Sequence, residues 1–129
     1  MKIKITSVLV CDQEHALNFY TNFLGFVKKT AIPMGEYQWL TVVSGDDPDG
    51  VELLLEPLAF APAKTYQAAL FEAGIPATSF AVDDLEKEYD RLSSMGVAFT
   101  MPPRQFGPAK LAVLNDTCGN LIQLAQVMP

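Results

Sequence analysis

The side chains able to do chemistry are few, and their settings narrow what they can do. Glu52 is an acid inside the strand-like run Val51-Glu52-Leu53-Leu54-Leu55-Glu56. Strand side chains alternate, so Glu52, Leu54 and Glu56 share one face while Val51, Leu53 and Leu55 share the other, where a helix should pack. Burial on the inner face would raise the pKa of Glu52 and make it a candidate catalytic proton acceptor, or it would hydrogen-bond a ligand together with Gln123. The plainer alternative is a carboxyl satisfied by Gln123, a hydroxyl or water. By the same alternation Trp39 and Thr41 should face Glu52, giving the aromatic wall and few polar groups that line small-molecule pockets. Packing in the core or at a dimer seam is the alternative for Trp39.

His15 is the only histidine among 129 residues, so any mechanism needing two or three imidazoles is excluded. It falls in the first turn of a helix expected to cover the back of the sheet. Cys11 and Cys118 form no CxxC pair and have no visible His or Asn partner, and both are expected to be structural, reduced thiols in a cytoplasmic protein. The run Pro102-Pro103-Arg104-Gln105-Phe106-Gly107-Pro108 is expected to be a loop. It would serve as a lid or rim whose Arg104 and Phe106 touch a ligand, or as a proline-fixed surface connection. The glycines make no phosphate-binding loop.

These residues need elements to hold them. Ile3–Val10 is β-branched and apolar, as a strand requires. Asp12 can then cap a helix of about three turns, with Ala16/Leu17, Tyr20 and Phe23/Leu24 inward and Gly25 as the stop. Three further strands are expected at Phe26–Ile32, Glu36–Val43 and Val51–Glu56, broken at Pro33-Met34-Gly35 and at 44–50. Residues 57–76 form a Pro/Ala-rich linker with one short helix, Tyr66, Ala69, Leu70 and Ala73 on its inward face. The order then returns: strand Thr78–Val82, a cap at Asp83-Asp84, a helix with Leu85, Tyr89, Leu92 and Met95 inward, a stop at Gly96, and strands near Val97–Thr100, Lys110–Leu114 and Leu121–Ala125.

The return can be counted. At an offset of 72, Val10 meets Val82, Asp12 meets Asp84, Leu17 meets Tyr89, Tyr20 meets Leu92 and Phe23 meets Met95. At 71, Gly25 meets Gly96, Val42 meets Val113, Leu53 meets Leu124 and Glu52 meets Gln123. The chain is therefore expected to be α+β: one domain of two tandem β-α-β-β-β modules, about 1–56 and 77–129, forming a cupped mixed sheet with helices outside. One helix covers one sheet face in each module, so the site belongs on the other, concave face.

The succession Asp12…Phe19-Tyr20…Leu24-Gly25-Phe26, Val51-Glu52-Leu53, Phe80-Ala81-Val82-Asp83-Asp84 and Asp116-Thr117-Cys118-Gly119-Asn120-Leu121 resembles the glyoxalase, bleomycin-resistance and extradiol-dioxygenase superfamily, also called the vicinal oxygen chelate fold. The resemblance implies paired modules whose sheets bend into a cup, usually completed in a homodimer. In metal-using members, strands of both modules supply His or Glu ligands. Carried over, those positions fall on Ile5, Glu52, Ala77 and Gln123, or on Ser7 and Ser79 if the strand register slips. One carboxylate and one amide are too few donors for a catalytic divalent ion, so no metal and no other cofactor is expected.

The resemblance leaves two functions open. One is a metal-independent protein that sequesters a small organic molecule, as bleomycin-type resistance proteins do, using Glu52, Gln123, Trp39, Thr41, Ser7, Ser79, Arg104 and Phe106. The other is a lyase, isomerase or dioxygenase with Glu52 as proton acceptor or residual metal ligand. Fifteen acids against nine bases give a net charge of −6, which opposes nucleic-acid binding. No apolar run approaches the roughly 20 residues of a membrane span, and Met1-Lys2-Ile3-Lys4-Ile5 is unlike a signal peptide, so no membrane partner is expected.

Overall fold

The computed structural model describes residues 1–127. Its elements run β1 (Ile5–Val10), α1 (Gln13–Asn18), a π turn (Phe19–Phe23), β2 (Val27–Met34), β3 (Tyr37–Val43), β4 (Glu52–Pro57), α2 (Ala61–Glu72), β5 (Thr78–Ala81), α3 (Leu85–Ser94), β6 (Phe99–Phe106), β7 (Ala109–Asn115) and β8 (Leu121–Val127). The chain divides into two compact units, Met1–Thr65 and the part from Tyr66 onward, with the boundary inside α2. Each unit is one β-α-β-β-β module with its own four-stranded sheet, ordered β1-β4-β3-β2 in the first and β5-β8-β7-β6 in the second. In both, the first and last strands pair in parallel and the other neighbours are antiparallel. This is the α+β tandem repeat expected from the sequence.

The two acidic caps start the two helices. Asp12 Oδ1 accepts from the His15 amide at 2.8 Å, and Asp84 Oδ1 accepts from the Lys87 amide at 3.2 Å, each satisfying an otherwise orphaned helix donor. α1 packs on β3 and β4, and α3 on β6, β7 and β8. In the first unit Val8, Val10, Leu40, Val42, Leu53 and Leu55 are buried together with Ala16, Phe19 and Tyr20. In the second, Ala112, Leu114, Ile122 and Leu124 are buried, as are Leu85 and Leu92 of α3. Each large aliphatic side chain so buried contributes about 1.5–3 kcal/mol.

Several expectations are corrected. The first helix is not three regular α turns: after Asn18 it widens into the π turn, closed by the Leu24 amide bonding the Phe19 carbonyl at 3.2 Å. Thr21 Oγ1 bonds back to the Leu17 carbonyl at 2.7 Å. Phe19 and Tyr20, at the start of the wider turn, are both buried.

Proline did not break the strands where expected. Pro33 lies within β2, and Pro102 and Pro103 within β6, so the predicted loop or lid at 102–108 is a strand as far as Phe106. Both are edge strands, where a missing amide costs no ladder bond, and β6 has irregular register between Phe99 and Arg104. The turns come later than expected, at Gly35-Glu36, where Gly35 takes φ +65° as tight hairpins require, and at Gly107-Pro108.

The linker helix is twelve residues long, and its orientation is set by a polar anchor. Tyr66 is 61% exposed, and Ala69 and Ala73 are also exposed, whereas Gln67 is buried. Gln67 Nε2 donates to Asn120 Oδ1 at 3.1 Å and to the Cys118 carbonyl at 3.3 Å. Asp116 lies at 0% exposure beneath this contact, accepting from the Cys118 amide, the Asn120 amide and Asn120 Nδ2 at 2.7–3.0 Å. Met95, expected inward, caps α3 and is exposed.

Candidate functional site

Strand register defines the faces. In the first unit Ile5 stands opposite Glu52, Ser7 opposite Leu54, Thr41 opposite Leu54, Ile32 opposite Trp39 and Met34 opposite Tyr37. Paired residues point the same way, so these side chains share one face. The opposite face carries the uniformly buried Leu40, Val42, Leu53 and Leu55. On the Glu52 face burial is graded. Thr41 is fully buried, Glu52 and Trp39 are half-buried, and Ile5, Ser7, Ile32, Met34 and Tyr37 are exposed.

Thr41 Oγ1 donates to Glu52 Oε1 at 2.8 Å. Of the partners considered for Glu52, the one present is therefore a hydroxyl from the adjacent strand. The carboxyl is half-buried. Met34 falls in the break expected at Pro33, and Ile32 and Tyr37, though within expected strands, were not among the expected site residues; the alternation Thr30, Ile32, Met34 and Tyr37, Trp39, Thr41 was the signal available.

In the second unit Ser79 stands opposite Gln123, Gln123 opposite Val113, Met101 opposite Val113, Arg104 opposite Leu111 and Phe106 opposite Ala109. These residues share a face. α3 lies on the other: Tyr89 meets Phe99 edge-to-face at 4.7 Å, Glu86 pairs with Lys110 at 3.5 Å, and Gln126 Oε1 accepts from the Leu85 amide at 2.8 Å. On the helix-free face Gln123 Nε2 donates to Ser79 Oγ at 2.9 Å, and the Arg104 guanidinium lies 5.3 Å from the centre of the Phe106 ring.

The register places the carried-over positions and their alternatives across the parallel ladders. Glu52 and Gln123 correspond, Ile5 stands opposite Glu52, and the residue opposite Gln123 is Ser79 and not Ala77. The four residues so paired, Ile5, Glu52, Ser79 and Gln123, carry an alkyl group, a carboxylate, a hydroxyl and an amide, and Ala77 in place of Ser79 would add no donor. Glu52 and Gln123 already hydrogen-bond protein neighbours. This donor set does not fit a catalytic divalent cation, which requires about three good protein ligands. Among the described residues no three His, Cys, Asp or Glu side chains gather around a common point.

The remaining candidates lie elsewhere. Neither cysteine is in a disulfide: Cys11 is exposed and Cys118 is buried beside the Asp116 network. His15 is exposed on α1. A cleft of about 390 Å³ opens where Asp12 and Glu14 approach Glu36 and Gln38 at the β2–β3 turn, with Tyr37 in its lining. Its amides are bonded within it: Gln13 Nε2 donates to the Gln38 and Leu55 carbonyls, and Gln38 Nε2 to Glu14.

The tandem β-α-β-β-β fold is shared with known proteins. Residues 2–124 match the Glyoxalase/Bleomycin resistance protein/Dioxygenase superfamily, and the chain belongs to that family. It is 55% identical over 126 residues to YurT of Bacillus subtilis (strain 168), covering 98% of this chain and 99% of YurT. Among solved structures it is similar to UcmS2, with a TM-score of 0.83, 28% identity and 97% of each chain covered. It is also similar to TnmS3, an antibiotic binding protein from Streptomyces sp. CB03234, with a TM-score of 0.78, 26% identity, and 98% of this chain and 96% of TnmS3 covered. No helix among the described residues is long and apolar enough to cross a membrane.

Proposed function

We propose that this protein binds a small organic molecule without a metal, in the manner of bleomycin-type resistance proteins, and works as a homodimer in the cytoplasm. Each helix-free sheet face carries ligand-binding residues: Glu52, Thr41, Trp39 and Ser7 in the first unit, and Gln123, Ser79, Arg104 and Phe106 in the second. The observation that carries this reading is the donor set at the family's metal positions. Ile5, Glu52, Ser79 and Gln123 supply one carboxylate among them, and Glu52 and Gln123 bond to neighbouring hydroxyls. Similarity to an antibiotic binding protein supports the ligand class. Around Glu52 the half-buried Trp39 and the exposed Ile32, Met34 and Tyr37 offer apolar area to a ligand body, with a few polar groups to orient it.

A second reading rests on Glu52 itself. Thr41 engages Oε1, and the half-buried carboxyl keeps Oε2 for a substrate proton, as a lyase or isomerase would need. A thermal-shift screen of chelator-treated protein against thioesters, catechols and cationic antibiotics separates the two. Binding predicts a Tm rise without turnover and without added metal, because a ligand at about 100 times its Kd stabilises by about 2.7 kcal/mol. Conversion of a thioester or catechol by wild type, lost in Glu52→Gln, establishes the enzyme reading instead. Equal ligand responses from wild type and Glu52→Gln remove Glu52 from the site.

A further inference from the structure

We propose that the helix-free face of the second unit receives the anionic group of the ligand, a carboxylate, sulfonate or phosphate carried on an apolar body, and that Arg104 is the residue that selects it. The inference rests on the small-molecule reading above and adds the charge of the ligand to it.

Arg104 is an unspent cation in an acidic chain. Acids outnumber bases by fifteen to nine; three other cations are ion-paired, Lys29 with Asp49, Arg91 with Glu88 and Lys110 with Glu86, so of the two arginines Arg91 is paired and Arg104 is not. Among the described residues Arg104 has no carboxylate within ion-pair distance and donates no hydrogen bond. Its one specific interaction is with the Phe106 ring, 5.3 Å from the guanidinium carbon. A cation over an aromatic face is oriented by the ring quadrupole, while the N–H groups at its edge stay available. That edge is a planar fork matched to a carboxylate, sulfonate or phosphate, for which an ammonium is a poorer substitute.

The backbone beneath the fork is held. Pro102 and Pro103 immediately precede it with φ fixed by their rings, and Gln105 Nε2 bonds the Gly107 carbonyl at 2.8 Å to close the turn that follows. Less disorder then has to be removed when the ligand arrives. The face is also the right one. Arg104 pairs with Leu111 and Phe106 with Ala109, on the side opposite α3, and the same side carries Met101, Val113 and Gln123. Phe106 is 44% exposed, so a ligand has ring surface to cover. An apolar body laid on the part-exposed Leu111 and the exposed Phe106 would bring an acidic substituent to the guanidinium.

The test uses two fluorescent probes with one aromatic framework, 1-anilinonaphthalene-8-sulfonate and its uncharged parent N-phenyl-1-naphthylamine, titrated into the full-length protein and into Arg104→Gln. The expected result is tighter binding of the sulfonate by wild type and a loss of about fivefold in Arg104→Gln, as one partly exposed charge pair supplies. The neutral probe should change by less than about twofold, and the sulfonate's preference for wild type should shrink with salt. Unchanged sulfonate affinity in Arg104→Gln, equal losses for both probes, or wild type preferring the neutral probe would each overturn the assignment of Arg104 while leaving the small-molecule reading intact. Binding of neither probe by wild type would remove both.

Discussion

Gln123 donates its amide to Ser79 from directly across the β5–β8 ladder, at 2.9 Å. Glu52 holds the matching place on β4, but the residue across from it is Ile5, which offers nothing to bond. Glu52 turns instead to Thr41 on its other side. Two copies of one module thus meet the same structural demand, a polar side chain on the last strand that needs a partner, by different routes.

The Thr41 route runs through a fully buried hydroxyl, so its removal should be felt. Thr41→Val keeps the shape but deprives Glu52 Oε1 of its donor, and should lower the free energy of unfolding by about 1 kcal/mol in urea. Ser79→Ala acts on an exposed hydroxyl and should stay within about 0.5 kcal/mol. A larger effect from Ser79→Ala than from Thr41→Val would contradict the assigned difference in burial.

Gly119 lies against the Gln67 anchor. A Cβ there would sit 2.7 Å from Gln67 Oε1 and 2.8 Å from Cδ, on a backbone at φ +97° that L side chains rarely adopt. Gly119→Ala should cost roughly 2 kcal/mol, from strain and from displacing an amide that satisfies Asn120 and the Cys118 carbonyl. Gln67→Ala alone should cost about 1–2 kcal/mol. Combined, the two should cost less than their sum, because the collision disappears with the side chain. Additive losses in chemical denaturation would show that Gly119 is required for its backbone conformation alone.

Much of this was legible in the sequence. The repeat, both caps and the alternation that puts Thr41, Glu52 and Trp39 together follow from local rules of period and capping. What was missed involves choices those rules do not see. Proline reads as a break until one knows that β2 and β6 are edges, where a missing amide is harmless. α2 was oriented by its apolar residues, yet Gln67 faces inward because Asn120 and Cys118, far off in sequence, present acceptors there.

Exposed apolar side chains bear on assembly. Phe60 and Tyr66, at 70% and 61% exposure, lie at or near α2, and Ile32 and Met34 lie on β2. The proposed homodimer predicts a mass of twice the 14.1 kDa chain by light scattering at micromolar concentration. Tyr66→Glu should shift it toward the monomer if α2 lies in the interface, and a monomeric wild type would remove the dimer from the account.

The central claim, ligand binding without a metal, is most directly tested by elemental analysis of purified protein after incubation with Ni²⁺, Zn²⁺ and Fe²⁺ and removal of unbound ion. With Ile5 opposite Glu52 and Ser79 opposite Gln123, one carboxylate is the only strong donor among the four, and far less than one equivalent of any of these metals per chain is predicted. One equivalent held tightly, and lost on Glu52→Gln, would contradict it.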